Sequence, residues 1–195
     1  MLKVGISGII GSGKSTVCRI FSLLGVPVYS ADKEAKKLYQ HDEVKELVRS
    51  SFGKDVFSDS GSIVFPALAE IIFNDDQKLA RINEIIHPRV KEDFINWCIQ
   101  YKDHDYVLYE SALFFESGFY KDYDRSIVVL APECLCISRI MTRDNVSENH
   151  VHARIKSQWP PEKKSALADH LIYNDEEQLL IPQVLATHNK LSPMA

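Results

Sequence analysis

Five short stretches of near-continuous apolar character punctuate the chain, at 4–7, 26–30, 106–110, 126–130 and 171–173. Apolar runs of this length without strict alternation belong to strands buried on both faces, as in a parallel sheet. Between them apolar positions recur at the helical period, most clearly at Val17, Ile20, Phe21 and Leu24. Strands alternating with helices predict βαβ units and an α/β layered fold. About 75 residues without a strand pattern separate the second stretch from the third. Their spacing predicts helices near 32–52, 66–73, 75–86 and 88–103, with Gly53 and the Ser58-Asp-Ser-Gly61 cluster marking breaks. The last of these helices carries Val90, Phe94, Trp97, Cys98 and Tyr101 on one stripe, a core face. An insertion of this size exceeds what a crossover needs and reads as a subdomain covering a substrate. A second excursion, at 142–165, is polar and basic, and Pro160-Pro161 closes its first helix. The tail from Glu176 has a helical pattern, with Pro182 in its first turn or kinking it.

Directly after the first stretch stands Gly8-Ile-Ile-Gly11-Ser-Gly13-Lys14-Ser15-Thr16, a full G-x-x-x-x-G-K-S sequence. It lies between a predicted strand and a predicted helix, the setting this phosphate-binding motif requires. Its glycines let the backbone fold so that successive N–H groups point inward, and the helix start adds a positive dipole end. Lys14 is expected to reach the β- and γ-phosphates and the Ser15 hydroxyl to ligate Mg²⁺. Gly11, Ser12, Gly13, Lys14, Ser15 and Thr16 are therefore the predicted contacts to a nucleoside triphosphate. A guanine-reading N-K-x-D motif is absent, since Asn189-Lys190-Leu191-Ser192 lacks the acid.

Composition adds bounds rather than chemistry. At 195 residues, 45% hydrophobic and 26% charged, the chain fits one globular domain with elaborations. A net charge of −4 gives no general attraction to nucleic acid or anionic membrane, so any anion site must be a local basic cluster. No apolar stretch approaches membrane-spanning length, and the start, running straight into the first strand, is expected to carry no signal peptide. Cys18, Cys98, Cys134 and Cys136 form no C-x-x-C pair or zinc pattern, which makes a reducing cytoplasm the expected setting.

A kinase must bring an acceptor hydroxyl in line with the γ-phosphate and stabilise the charge that develops. Asp32, just past the second strand, sits where strand ends line the ligand crevice of open α/β sheets. It is a candidate for the base that orients the hydroxyl, and equally a helix N-cap. Glu110 and Glu116 flank the end of the third strand and are placed to hold a metal-bound water, to position a substrate group, or to serve as surface charges. Arg139 and Arg143 are i, i+4 on one predicted helix, and Arg154 with Gln158 repeats that spacing on the next. Such arginines either grip a triphosphate or form a solvated face with partners such as Glu133 or Asp144.

With these residues assembled, the chain resembles the dephospho-coenzyme A kinase family from Leu2 to about Asn174. The carriers are Ser7-Gly-Ile-Ile-Gly-Ser-Gly-Lys-Ser, Ser30-Ala-Asp32-Lys-Glu-Ala-Lys, Ile86-His87-Pro88-Arg-Val and Glu110-Ser-Ala-Leu-Phe-Phe-Glu116. Arg139-Ile-Met-Thr-Arg143-Asp144, Arg154-Ile-Lys-Ser-Gln158 and Ala168-Asp169-His-Leu-Ile-Tyr-Asn174 complete the set. The resemblance implies a P-loop kinase fold of three α/β/α layers, with a five-stranded parallel sheet in the order 2-3-1-4-5. It implies a nucleotide-binding core at 1–31, 104–141 and 166–195, a helical acceptor-binding insertion at 32–103, and a lid at 142–165. ATP and dephospho-coenzyme A are the implied substrates and Mg²⁺ the implied cofactor, with Ser15 and Glu110 toward the metal. Asp32 takes the catalytic-base position, Arg143 and Asn174 are implied to sandwich the adenine, and Arg154 to reach the phosphates. Lys36, His87 and Glu116, with Asp32, fall on the acceptor side. No nucleic acid, membrane or obligatory protein partner is implied.

Several positions depart from the family pattern. Ile9 stands where a second Gly is usual, Glu110 where Asp is common, and Ser111-Ala112 where a Pro often follows. Lys36 replaces a frequent Arg, and Phe65-Pro66 replace basic residues of the insertion. The leading expectation is transfer of the γ-phosphoryl of ATP to the ribose 3′-hydroxyl of dephospho-coenzyme A. The alternatives are another small-metabolite or nucleoside kinase of the same superfamily, and a nucleotide-binding regulator that has lost transfer chemistry. Retention of Asp32, Lys14, Ser15 and a carboxylate at 110 argues against the last.

Overall fold

The computed structural model describes residues 1–73 and 75–192. Five parallel strands, β1 (Leu2–Ser7), β2 (Val28–Ser30), β3 (Tyr106–Glu110), β4 (Arg125–Leu130) and β5 (His170–Tyr173), form one sheet. Their order is β2-β3-β1-β4-β5, the expected topology, with β1 at the centre. Each apolar run predicted from the sequence is a strand, with bounds shifted by at most two residues. The register pairs Ile6 with Glu110 and Ser7 with Val128, so the ends of β1, β3 and β4 lie side by side where the phosphate loop begins.

Both faces of the sheet are dry, for the reason the apolar runs suggested. Val4, Ile6, Tyr106, Leu108, Ile127, Val129 and Ile172 form one buried cluster with Val17, Cys18 and Phe21 of α1 (Lys14–Leu23) and Val184 and Leu191 of α9 (Leu180–Leu191). The intervening positions face the other way, where Tyr109 stacks on Tyr29 at 5.7 Å between ring centroids and meets Phe114 and Tyr123. Pro182 stands in the first turn of α9, which tolerates a missing N–H. Among the described residues no helix is long and apolar enough to cross a membrane.

The chain divides into two compact units, residues 1–30 with 101–195, and residues 31–100. The second unit holds α2 (Ala31–Leu38), α3 (Asp42–Phe52), α4 (Phe65–Phe73) and α5 (Asp76–Ile99), with α5 packed against the other three. Two helix boundaries differ from the sequence expectation. The helix expected over 32–52 is two, because Gln40 and His41 close tight three-residue bonds to Lys37 and Leu38 and His41 then turns extended. Conversely, the helices expected at 75–86 and 88–103 are one, α5, which runs straight through Pro88. Ile82, Ile85, Ile86, Val90, Phe94 and Cys98 are all buried along it. Burial on both sides of the proline outweighs its cost of about 3 kcal/mol, and the Arg89 guanidinium donates to the Ile85 carbonyl at 2.8 Å. The Ser58–Gly61 break is a tight turn flanked by an antiparallel bridge between Phe57 and Ile63, which the pattern did not reveal.

The first unit completes itself with α6 (Glu133–Asp144), α7 (Glu148–Lys156) and α8 (Pro161–Ser165). Here Pro161 opens α8, while α7 has already ended at Lys156. Gln158 thus lies beyond the helix on which its spacing from Arg154 had placed it.

Candidate active site

The loop from Gly8 to Gly13 leaves the end of β1 and enters α1 through Gly13 at φ 94°. Only glycine adopts that backbone cheaply, and a Cβ there would meet the Asn174 amide nitrogen at 2.0 Å. A Cβ at Gly11 would meet the Cys136 carbonyl oxygen of α6 at 2.5 Å. The loop is thus pressed against α6 and against the residue after β5. Asn174 fastens this contact, its side-chain amide donating to the Ser12 carbonyl at 2.8 Å, while Arg139 donates to the Asn174 carbonyl at 3.2 Å. Burial against the loop pushes the Cys136 thiol up to about 11, so it is a packing residue and not a reactive one.

Helix α1 has no side-chain cap and no acidic residue in its first turn. Its first N–H groups and its dipole therefore present positive potential at the loop, which suits an anion. Lys14 adds a full charge, its Nζ lying 3.0 Å from the Gly8 carbonyl and 3.1 Å from that of Ile9, folded across the loop. Ser15, in the first turn, donates to Glu110 Oε1 at 3.1 Å. Two hard oxygens side by side suit Mg²⁺, which takes one or two protein oxygens and completes its shell with water and phosphate. Thr16 is exposed in the same turn, whereas the Ser12 hydroxyl is buried without a partner among the described residues.

Arg143 and Arg154 come together through one carboxylate. Arg143 Nε reaches Asp144 Oδ1 at 2.7 Å, and Arg154 Nη1 reaches Asp144 Oδ2 at 2.9 Å. The Arg143 hydrogen bond holds the Asp144 carboxyl below its ordinary range, with Arg154 adding to the effect. The two arginine side chains remain 61% and 46% exposed, so the pairs themselves contribute little stability. Arg139, third of the arginines singled out by spacing, is committed to Asn174 and Glu176.

Glu116 has a setting the sequence did not show. Its side chain is 13% exposed and pairs at 2.9 Å with Lys164, which is wholly buried. The backbone N–H of Trp159 donates to the same oxygen at 2.7 Å. Burial pushes the Lys164 pKa down, with Glu116 partly restoring it. This carboxylate, which the resemblance puts on the acceptor side, is held by internal partners. Lys164 itself went unnoticed because Pro161-Glu-Lys-Lys-Ser reads as surface, and nothing local marks one lysine as buried.

In the other unit, Asp32 and Lys36 are exposed one turn apart on α2, Asp32 in its first turn and Lys36 in its last. His87, on α5, is half-buried, and burial lowers its pKa below the ordinary histidine value.

The chain matches a family model described as dephospho-CoA kinase across residues 2–179. It is 42% identical over 186 residues to the dephospho-CoA kinase of Bacteroides fragilis strain YCH46, covering 94% of this chain and 90% of that one. Among solved structures it is similar to TT1252 from Thermus thermophilus, with a TM-score of 0.87 at 28% identity, covering 96% of this chain and 95% of that one. It is also similar to dephospho-CoA kinase from Campylobacter jejuni, with a TM-score of 0.69 at 28% identity, covering 97% and 96% of the two chains.

Proposed function

We propose that this chain, which belongs to the dephospho-CoA kinase family, transfers the γ-phosphoryl group of ATP to the ribose 3′-hydroxyl of dephospho-coenzyme A. The observation that carries the reading is the extent of the family match, which includes the helical unit as well as the nucleotide-binding unit. A generic nucleotide-binding core would account only for the second.

Phosphoryl transfer asks the protein mainly for positioning and electrostatic stabilisation. The uncapped start of α1 binds the β- and γ-phosphates, and Lys14 swings from its loop carbonyls onto them. Ser15 and Glu110 would hold Mg²⁺, which would neutralise phosphate charge. Asp32 accepts the hydrogen bond of the acceptor hydroxyl, aims it and takes its proton as the bond from that oxygen to the γ-phosphorus forms and the bond from the γ-phosphorus to the β,γ-bridging oxygen breaks, releasing ADP. Arg143 and Arg154, gathered by Asp144, close over the nucleotide, with Asn174 beside the loop. Lys36 and His87 serve the acceptor.

The test is coupled ADP release by purified protein, offering dephospho-coenzyme A against a panel of nucleosides and small alcohols. Turnover with dephospho-coenzyme A, giving a product phosphorylated at the ribose 3′ position, is expected. Turnover only with another acceptor would assign a different kinase, and ATP binding without turnover a regulator.

A further inference from the structure

A network from residues 158–164 ends on the phosphate loop. Gln158 Oε1 accepts from the Ile10 backbone N–H at 2.8 Å, and its amide nitrogen lies 3.5 Å from the Ala112 carbonyl. That carbonyl also accepts from Lys164 Nζ at 2.9 Å and from the Ser7 hydroxyl at 3.4 Å. Ser7 is the last residue of β1, immediately before the loop. One residue past Gln158, the Trp159 N–H is held by Glu116, which Lys164 also engages. Lys163 lies over the Trp159 ring at 3.4 Å and braces the same turn.

A buried ion pair adds little stability over apolar side chains of equal volume, because both charges are stripped of water. It does fix geometry, and here the fixed element is the turn that carries Gln158. The second Glu116 oxygen is buried without a partner among the described residues, so this pair is retained despite an unmet electrostatic cost. Gln158 in turn occupies the Ile10 N–H, a loop amide just upstream of residues 11–16. Gln158 thereby fixes the Ile10 peptide, and the Ser12 N–H, donating to the Ile9 carbonyl at 3.1 Å, closes the turn around it, so this part of the loop is ordered before a ligand arrives.

We infer that Glu116 and Lys164 are positioning residues for the nucleotide and not for the acceptor: they lock the 158–164 turn so that Gln158 holds the phosphate loop in its receiving conformation. This rests on reading residues 8–16 as the nucleotide site and is independent of which acceptor is used.

Binding of ADP without any acceptor, followed by calorimetry on the full chain, keeps the two readings separate. Gln158→Met removes one neutral hydrogen bond to the loop and should weaken ADP about three- to tenfold, with an unchanged melting temperature. The KM for ATP should rise by a similar factor and the KM for dephospho-coenzyme A stay within about twofold. Glu116→Gln should weaken ADP in the same range, and in the Gln158→Met background it should add almost nothing, since both act through one tether. If Lys164→Met alone does not fold, the Glu116→Gln/Lys164→Met pair leaves no buried charge and should fold while still binding ADP weakly. Wild-type ADP affinity in Gln158→Met, full additivity of the two losses, or a selective rise in the acceptor KM for Glu116→Gln would each overturn the inference. Failure of dephospho-coenzyme A turnover with these ADP effects intact would count only against the assigned acceptor.

Discussion

Helix α5 begins with Asp75, whose carboxylate accepts from the N–H groups of Gln77 at 2.9 Å and Lys78 at 3.1 Å. Helix α1 begins with Gly13 in a left-handed conformation, without a side-chain cap or a first-turn acid. The first arrangement satisfies the donors internally and is worth about 0.5–2 kcal/mol to the fold. The second forgoes that gain and keeps the donors for an outside anion. The bare start alone does not mark a site, since α9 also lacks a side-chain cap and a first-turn acid; what sets α1 apart is the glycine loop that leads into it with Gly13 in a left-handed conformation. Val17, Cys18 and Phe21 are buried in the central cluster, so α1 does not depend on its cap. Helix α2 stands between the two cases. Asp32 and Glu34 in its first turn favour the dipole, and Asp32 is exposed.

The sharpest way to break the comparison is Lys14→Ala. If the α1 start is built for phosphate, losing this charge should lower turnover about 10²–10³-fold and leave the melting temperature in place. Coupled ADP release and a thermal melt on the same preparation decide it. A large drop in melting temperature with normal turnover would make Lys14 a structural group.

Asp32→Asn probes the intermediate case. As the base, Asp32 should cost about 10²-fold in kcat when replaced, the low end of the range for a positioned base, because Asn still orients a hydroxyl. As a dipole partner only, it should cost about 0.3–1 kcal/mol of stability and nothing in kcat. Steady-state kinetics beside a urea melt separate the two outcomes.

The arginines pose the same question at the other end of a helix. Arg143 lies in the last turn of α6 and Arg154 in that of α7, where any cation is favourable. Lysine keeps the charge and loses the planar fork. Arg143→Lys and Arg154→Lys should each raise the KM for ATP about three- to tenfold with the acceptor KM unchanged. Unaltered kinetics in both would leave them as dipole partners paired to Asp144.

What was legible in the chain follows from the range of the interactions. The strands were readable because burial on both faces demands an apolar residue at nearly every position, and the loop because its chemistry needs fixed spacing within nine residues. Pro88 misled because local propensity argues for a break and only the packing along α5 overrides it. Gln158 was grouped with Arg154 by helical spacing, but α7 ends at Lys156 and the side chain reaches back to Ile10. Lys164 and Glu116 are 48 residues apart in sequence, and neither carries a local sign that the other exists.

The smallest expected effect tests the capped end of the comparison. Asp75→Ala removes a carboxylate that satisfies two first-turn donors of α5, so the folded state should lose about 1 kcal/mol. That loss belongs to the helical unit of residues 31–100, since α5 packs against α2, α3 and α4. Hydrogen exchange should accordingly rise in α5 near Gln77 and Lys78, with the strands of the sheet protected as before. ADP affinity should not change, because nothing at the start of α1 depends on this cap. A loss of ADP affinity in Asp75→Ala would collapse the distinction between a helix start built for the fold and one built for a ligand. A stability loss with nucleotide binding intact would establish that the two ends of the comparison are separable, with the bare start of α1 serving the phosphate and the capped start of α5 serving the helix.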